Sequence, residues 1–256
     1  MDLPLNSFKR AITSGRQQIG LWSSLANNVT VEILAGAGFD WLLLDCEHSP
    51  NEPLMVLSQL QAAEGGTAHP IVRPAWNDAV MLKRLLDVGT QTFLIPYVQN
   101  RAEAEQAVAA VRYPPRGMRG FASAARSSRY GRIADYHTRC EEEICVLVQV
   151  ETQEGLDNLE AIAGVDGVDG VFIGPGDLSA ALGYLGKPGH PDVNAVIDTT
   201  IDRIKACGKA PGILTGDVAL ARRYIERGCL FTAVGADTGI LVRGAGELVK
   251  TFKQPA

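Results

Sequence analysis

Four short stretches carry side chains able to act together: Asp45-Cys46-Glu47-His48, Arg73 at the end of HPIVRP, Gln149 and Glu151 in VLVQVET, and Gly174-Pro175-Gly176-Asp177. Each ends or follows an apolar run, and polar groups just past buried strands stand where a barrel gathers its reactive residues. Glu151 and Asp177 are hard oxygen ligands, suited to Mg2+ or Mn2+ that keeps positions open for water and a chelating substrate. Taken singly, Asp177 is more simply a helix N-cap or a surface charge; as a pair at neighbouring strand ends, the two acids favour a metal. His48 stands beside two acids, which suits a general base, with a structural histidine as the plain alternative. Arg73 follows apolar residues and would be costly to bury without an anion. A substrate oxyanion or carboxylate would serve, and so would a salt bridge to Asp45 or Glu47. Gly176 and Asp177 open a helix after a strand, so their backbone N–H groups can hold a carboxylate. Gly235-Ala236-Asp237-Thr238 has the same shape, but no second glycine-rich loop supports a phosphate site there.

Elements that could bring these groups together alternate along the chain. Eight apolar runs, near residues 20–23, 41–45, 70–73, 92–96, 145–151, 170–174, 210–214 and 231–235, predict strands. LLL, FLI, VLV and VFI show no period-two alternation, as expected of parallel strands buried on both faces. Between them, residues 31–36, 77–88, 101–111, 153–162, 191–207, 217–226 and 236–252 carry apolar positions three and four apart and predict helices. Gly89, Gly208 and Gly228 follow the last periodic residues as C-terminal stops. Eight strand–helix units in 256 residues fit one closed (β/α)8 barrel better than a doubly wound sheet.

Residues 113–143 form an excursion longer than an ordinary loop and hold Arg116, Arg119, Arg126, Arg129 and Arg132. It is expected to be an active-site lid or substrate-binding loop, with a solvated basic loop as the alternative. Composition narrows the function classes. The formal charge of −5 and scattered Lys and Arg argue against nucleic acid, and no apolar run is long enough to span a bilayer. The N-terminal stretch does not read as a secretory signal. Five cysteines without CxxC spacing point to reduced thiols and a cytoplasmic location, not to disulfides or structural zinc.

The ordered segments IGLWSSLANN, EILAGAGFDWLLLDCEHSPN, PIVRPAWND, KRLLDVGTQTFLIPYVQN, RYPPRGMRG, VLVQVET, GVDGVFIGPGDLSAALGYLG and APGIL cover nearly the whole chain. Together they resemble the HpcH/HpaI aldolases, a family of class II pyruvate aldolases. Cys46 stands where the familiar pattern has Gly, a change expected to narrow the pocket or add a polarisable wall.

The resemblance implies a single barrel of the phosphoenolpyruvate/pyruvate type over residues 1–256. It implies Glu151 and Asp177 as ligands of a divalent cation (Mg2+, Mn2+ or Co2+), His48 as base and Arg73 as donor to a keto oxygen. Gln149 would line the site, and Gly176 with Asp177 would bind the substrate carboxylate. Leu214 and Arg126 are also expected to meet substrate, Arg126 or Arg129 taking a distal carboxylate, while Asp45 and Glu47 support the site. The family pairs its histidine with an acid corresponding to Asp87. The strand count puts Asp87 at the wrong end of a helix to reach its own His48, so the partner would come from a neighbouring subunit of a homo-oligomer, commonly a hexamer built as a trimer of dimers.

The implied reaction joins or cleaves 4-hydroxy-2-oxo acids, giving pyruvate or hydroxypyruvate and an aldehyde such as succinic semialdehyde or a polyol aldehyde. The alternatives are a related lyase acting on a CoA thioester or decarboxylating oxaloacetate, and a catalytically silent metabolite-binding barrel. A Schiff-base aldolase is disfavoured because no lysine is expected at a strand's C-terminal end.

Overall fold

Uninterrupted apolar runs become parallel strands when both of their faces are covered. The computed structural model describes residues 1–253, and in it these runs form β1 (Gln18–Ser23), β2 (Trp41–Asp45), β3 (His69–Arg73), β4 (Thr92–Ile95), β5 (Cys145–Val150), β6 (Gly170–Ile173), β7 (Ala210–Leu214) and β8 (Phe231–Ala236). Each strand pairs in parallel with the next, and β8 closes onto β1. The architecture is the expected (β/α)8 barrel. Alternate residues divide into two shells: Trp22, Trp41, Leu43, Phe172 and Phe231 fill the interior. Leu42, Leu44, Val72, Val148 and Ile173 face outward to the helices. Gly20 makes room for the interior indole, since a Cβ there would stand 2.1 Å from the Trp41 ring.

The helices are α1 (Ser7–Thr13), α2 (Asn28–Ala35), α3 (Pro53–Ala63), α4 (Ala79–Asp87), α5 (Arg101–Val111), α6 (Tyr136–Arg139), α7 (Gln153–Asp157), α8 (Leu159–Ala163), α9 (Pro175–Ala181), α10 (Pro191–Ala206), α11 (Val218–Arg227) and α12 (Asp237–Lys253). Gly89, Gly208 and Gly228 have φ of 104°, 70° and 104°, the left-handed backbone expected of helix stops. Three helices were not anticipated, α1, α3 and the short α6 within residues 113–143. α1 sends Phe8 and Ile12 into the barrel's N-terminal end, and α3 starts on Pro53 and buries Val56, Leu60 and Ala63. The expected helix at 153–162 breaks at Asn158, whose side-chain amide donates to Gln99 O at 2.9 Å.

Residues 113–143 correct an expectation. They leave the C-terminus of α5 and return to the start of β5, so they pack at the barrel's N-terminal end, away from the strand ends that carry reactive groups. α12 also departs from the pattern, because every residue from Ile240 to Lys253 is exposed. Outward Ile19 on β1 and Val234 on β8 are only half-buried beside it. All five cysteines are unpaired. Among the described residues no helix is long and apolar enough to cross a membrane.

Candidate active site at the C-terminal mouth

β2 and β3 end in register, Asp45 opposite Arg73, and this alignment sets the first half of the mouth. Arg73 donates through Nε and Nη2 to the two oxygens of Asp45 at 2.9 and 2.7 Å. Its Nη1 lies 2.7 Å from Glu47 Oε2, and its guanidinium sits 5.1 Å from the Trp22 ring centroid. Both salt bridges weighed from the sequence therefore exist together. Burial would raise the Asp45 carboxyl, but Arg73 and the backbone N–H groups of Glu47 and His48 outweigh it and hold it below its usual value. Burial wins at Glu47, which is pushed up despite Arg73 and His48, with the charges of Asp45 and Asp177 adding to the rise. His48 Nε2 stands 4.0 Å from Glu47 Oε2, with 65% of its side chain exposed.

β5 and α9 supply the second half. Glu151 follows β5, is 1% exposed, and accepts from Gln149 Nε2 at 2.6 Å and from the Tyr97 backbone N–H at 3.0 Å. Its pKa is raised to about 7, chiefly by burial; Gln149 and the Tyr97 N–H oppose the rise, and the charges of Glu47 and Asp177 add to it. Gly174 is what allows Glu151 this seat, because a Cβ there would stand 2.4 Å from Glu151 Oε2. Asp177 lies in the first turn of α9, and Gly176 beside it faces open space. Leu214 ends β7, half-buried against the inner shell.

The donor set fits a divalent cation. Gln149 Oε1 is a buried acceptor without a hydrogen-bond partner, and Glu47 Oε2 is held only by its ion pair to Arg73. The charges of Glu47, Glu151 and Asp177 influence one another, while the one guanidinium nearby, that of Arg73, is already shared between Asp45 and Glu47. Among the described residues no three His, Cys, Asp or Glu side chains close into a complete cage. A cation seated on two carboxylates would keep the rest of its coordination for water and substrate, as the open-site expectation requires.

Other expected residues lie elsewhere in the chain. Arg126 donates to Val88 O at 2.9 Å and to Glu64 Oε1 at 2.7 Å, at the N-terminal end of the barrel, so within one chain it does not reach the mouth. It lines a hollow of about 200 Å³ there with His69, Thr90 and Arg129. Both arginines there are paired with Glu64. Asp87 ends α4 with Arg119 Nη2 at 3.8 Å and one buried oxygen unpartnered. Cys46 points into the outer shell and its buried thiol is pushed up to about 12, so it neither narrows the pocket nor reacts readily.

Two residues at the mouth, Tyr97 and Trp76, were missed, and a third, Asp237, was noticed only as part of an anion-binding shape. Tyr97 and Trp76 stack with centroids 5.7 Å apart. Both follow strands in polar-ended segments, LIPYVQN and RPAWND, but aromatic residues there carry no distinctive spacing. Asp237 accepts from Ser23 Oγ, the backbone N–H groups of Ser24 and Leu25, and Thr238 N, at 3.1, 3.0, 3.1 and 2.7 Å. The anion-binding shape noticed after β8 thus already holds the chain's own carboxylate.

With this geometry, the sequence profile of the HpcH/HpaI aldolase/citrate lyase family matches residues 18–244. The chain belongs to that family. It is 58% identical over 248 residues to a protein of Salmonella dublin named 4-hydroxy-2-oxo-heptane-1,7-dioate aldolase, covering 96% of this chain and 94% of that one. An HpcH/HpaI aldolase/citrate lyase family protein from Burkholderia cenocepacia superposes with a TM-score of 0.93 at 37% identity, covering 97% of this chain and all of that one (100%). An HpcH/HpaI aldolase from Desulfitobacterium hafniense superposes at 0.88 with 28% identity and 97% coverage of both chains. Membership makes the HpcH/HpaI chain an enzyme, a carbon–carbon lyase of the aldolase kind.

Proposed function

We propose that this chain catalyses reversible aldol cleavage of 4-hydroxy-2-oxo acids at the C-terminal mouth, with Mg2+, Mn2+ or Co2+ held by Glu151 and Asp177. The observation that carries the reading is the excess of buried negative charge around Glu151, whose carboxyl is raised to about 7. A bound divalent cation would balance that charge and act as a Lewis acid toward a 2-oxo acid. Arg73 keeps Asp45 as its anchor and turns Nη1 from Glu47 toward the keto oxygen, where charge grows as the C3–C4 bond breaks. His48 takes the C4-hydroxyl proton in cleavage and returns it in synthesis. Gln149 lines the floor of the mouth, the Gly176 and Asp177 N–H groups hold the substrate carboxylate, and Leu214 gives an apolar side.

The products are pyruvate, or hydroxypyruvate, and an aldehyde. The name carried by the Salmonella relatives favours succinic semialdehyde, since breaking C3–C4 of 4-hydroxy-2-oxoheptanedioate leaves pyruvate and that aldehyde; a polyol aldehyde is the other acceptor. Unpaired thiols suit a reducing cytoplasm. Pyruvate release from 4-hydroxy-2-oxoheptanedioate should cease in EDTA and return with Mn2+, Co2+ or Mg2+. Full turnover by metal-free enzyme overturns the mechanism, and carbon dioxide from oxaloacetate or free CoA from a thioester, without aldehyde chemistry, moves the chain to another lyase of the family.

The active form we propose is a homo-oligomer, a hexamer assembled as a trimer of dimers. Ile240, Leu241, Val242, Leu248, Val249 and Phe252 on α12 are 47–81% exposed, far more apolar surface than one helix ordinarily leaves in water. A second copy is the natural cover, because Ile19 and Val234 leave the barrel wall beside α12 incompletely sealed. Asp87, with its unpartnered oxygen, then orients His48 of a neighbour. Mixing inactive His48→Ala and Asp87→Asn subunits should restore part of the activity by forming some sites with both residues intact. A fully exchanged mixture without recovery, or an active monomer, overturns the shared site.

A further inference from the structure

Arg119 carries a permanent positive charge into the protein interior, with its side chain fully buried. The segment that bears it is fixed against the last turn of α5, where Met118 N donates to Ala109 O and Arg119 N to Arg112 O, both at 2.8 Å. Gly117 permits that approach, since a Cβ there would stand 2.3 Å from Ala109 O. The side chain then lies against two rings, its guanidinium carbon 4.5 Å from the Tyr113 centroid and 5.5 Å from that of Tyr136. Nη2 donates to Tyr136 Oη at 3.1 Å, and Nη1 meets Cys140 Sγ at 3.8 Å. None of these neighbours is a carboxylate, and a buried cation needs an anion. Among the described residues its one ion pair is with Asp87, whose Oδ1 stands 3.8 Å from Nη2.

Asp87 needs that cation for reasons of its own. It ends α4, where the carbonyl end of the helix disfavours a negative charge. Burial raises its carboxyl, and the charge of Arg119 is the largest influence against the rise, with Lys83 next. The contact differs from the Arg73–Asp45 pair at the mouth. Arg73 donates to both oxygens of Asp45, whereas Arg119 stands off at 3.8 Å and Asp87 Oδ1 has no hydrogen-bond partner. The Asp87 side chain remains 31% exposed. Arg119 thus supplies charge and leaves the carboxylate free to accept from elsewhere. We propose that Arg119 is a positioning residue: held against Tyr113 and Tyr136, it anchors the Asp87 carboxylate from inside its own subunit while that carboxylate faces the His48 imidazole of a neighbour. The inference rests on the shared site proposed above. Each interface then has an arginine and an aspartate on one side and the histidine on the other.

Subunit mixing tests on which side of the interface Arg119 acts. Arg119→Met removes the charge and should lower kcat about tenfold with KM little changed, as loss of a partner to a positioned group does. Arg119→Lys, which keeps the charge, should lose less. Unfolding temperature and assembly are followed for each variant, and Arg119→Gln, also neutral, replaces Arg119→Met if the latter does not assemble. Mixed with His48→Ala, the neutral variant should give more activity than the mean of the two parents, because some sites then combine an intact His48 with an intact Arg119–Asp87 pair. Mixed with Asp87→Asn it should give only that mean, because both defects lie on the same side. If the His48→Ala and Asp87→Asn mixture shows no recovery, the shared site is wrong and the inference falls with it. If that mixture recovers while the neutral Arg119 variant keeps wild-type kcat, gains activity with Asp87→Asn, or gains with neither parent, the site stands and the positioning role is overturned.

Discussion

At the floor of the barrel, Asn6 donates to Thr92 Oγ1 and to Glu143 O, both at 2.9 Å, and accepts from Lys9 N at 2.8 Å. Thr92 also meets His69 Nε2 at 2.8 Å, and Phe8 stacks on His69 and packs edge-on against Trp41 and Phe231. At the mouth, Gln149 Oε1 has no hydrogen-bond partner, Glu47 Oε2 has only its ion pair to Arg73, Glu151 is held above its ordinary range, and Tyr97 carries left-handed backbone. The same strands build both ends, so sheet geometry does not explain the contrast. The Asn6, Thr92 and His69 groups satisfy one another, although Thr90 Oγ1 and Gln17 Nε2 at the same end have no partner, whereas the mouth gathers several carboxylates around one guanidinium. Unpartnered buried atoms occur at both ends, so what sets the mouth apart is its gathering of carboxylates, which raises Glu47 and Glu151.

Substitutions at the two ends should separate stability from activity. Phe8→Ala, at a fully buried floor position, should cost about 3–5 kcal/mol in unfolding free energy while leaving kcat per folded site unchanged. Urea unfolding and active-site-normalised kinetics read the two effects, and a large fall in kcat without unfolding would show that the floor communicates with the mouth. Arg73→Lys should do the reverse. It keeps a positive charge between Asp45 and Glu47 but loses the paired donors, so kcat should fall by about 10²–10³ with the barrel still folded. A fall of tenfold or less would assign Arg73 to holding Asp45 alone.

How much of this contrast could be read in advance depended on the kind of signal. Strands were legible because LLL, VLV and VFI need cover on both faces, and the mouth followed because Arg73, Glu151 and Asp177 stand directly at strand ends. α1 escaped because seven residues carry little periodicity, and α3 because PLMVLSQLQAA is apolar on most sides and shows little contrast between faces. Within one chain Arg126 lies at the end opposite the mouth, and the order of elements held that answer: a segment between a helix and the next strand returns at the N-terminal end. The φ of Tyr97 had no counterpart in the sequence, since only Gly and Asn advertise left-handed backbone. The exposure of α12 was equally silent, because its apolar spacing is the same whether it covers its own barrel or a neighbour's.

His69 gives the smallest and most specific way to probe the floor. Burial holds its imidazole neutral and lowers its pKa from 6.5 to about 4. Its neighbours Thr92 and Phe8 are uncharged, so the cause is desolvation and not a nearby cation. The sign follows from proton counting: between about pH 6.5 and 4 the unfolded chain binds a proton at His69 that the folded chain refuses. Its stability contribution is therefore intact above pH 6.5 and is lost progressively as pH falls toward 4. One pKa unit corresponds to about 1.4 kcal/mol, so lowering the pH from 7.5 to 5.0 should remove about 2 kcal/mol through this residue. His69→Gln keeps a polar contact to Thr92 but cannot titrate, and urea unfolding at the two pH values should show a loss smaller by about that amount than in wild type. Equal acid sensitivity in the two proteins would mean that His69 is hydrated or protonated in the folded chain, and that the floor is not the dry plug that distinguishes it from the mouth.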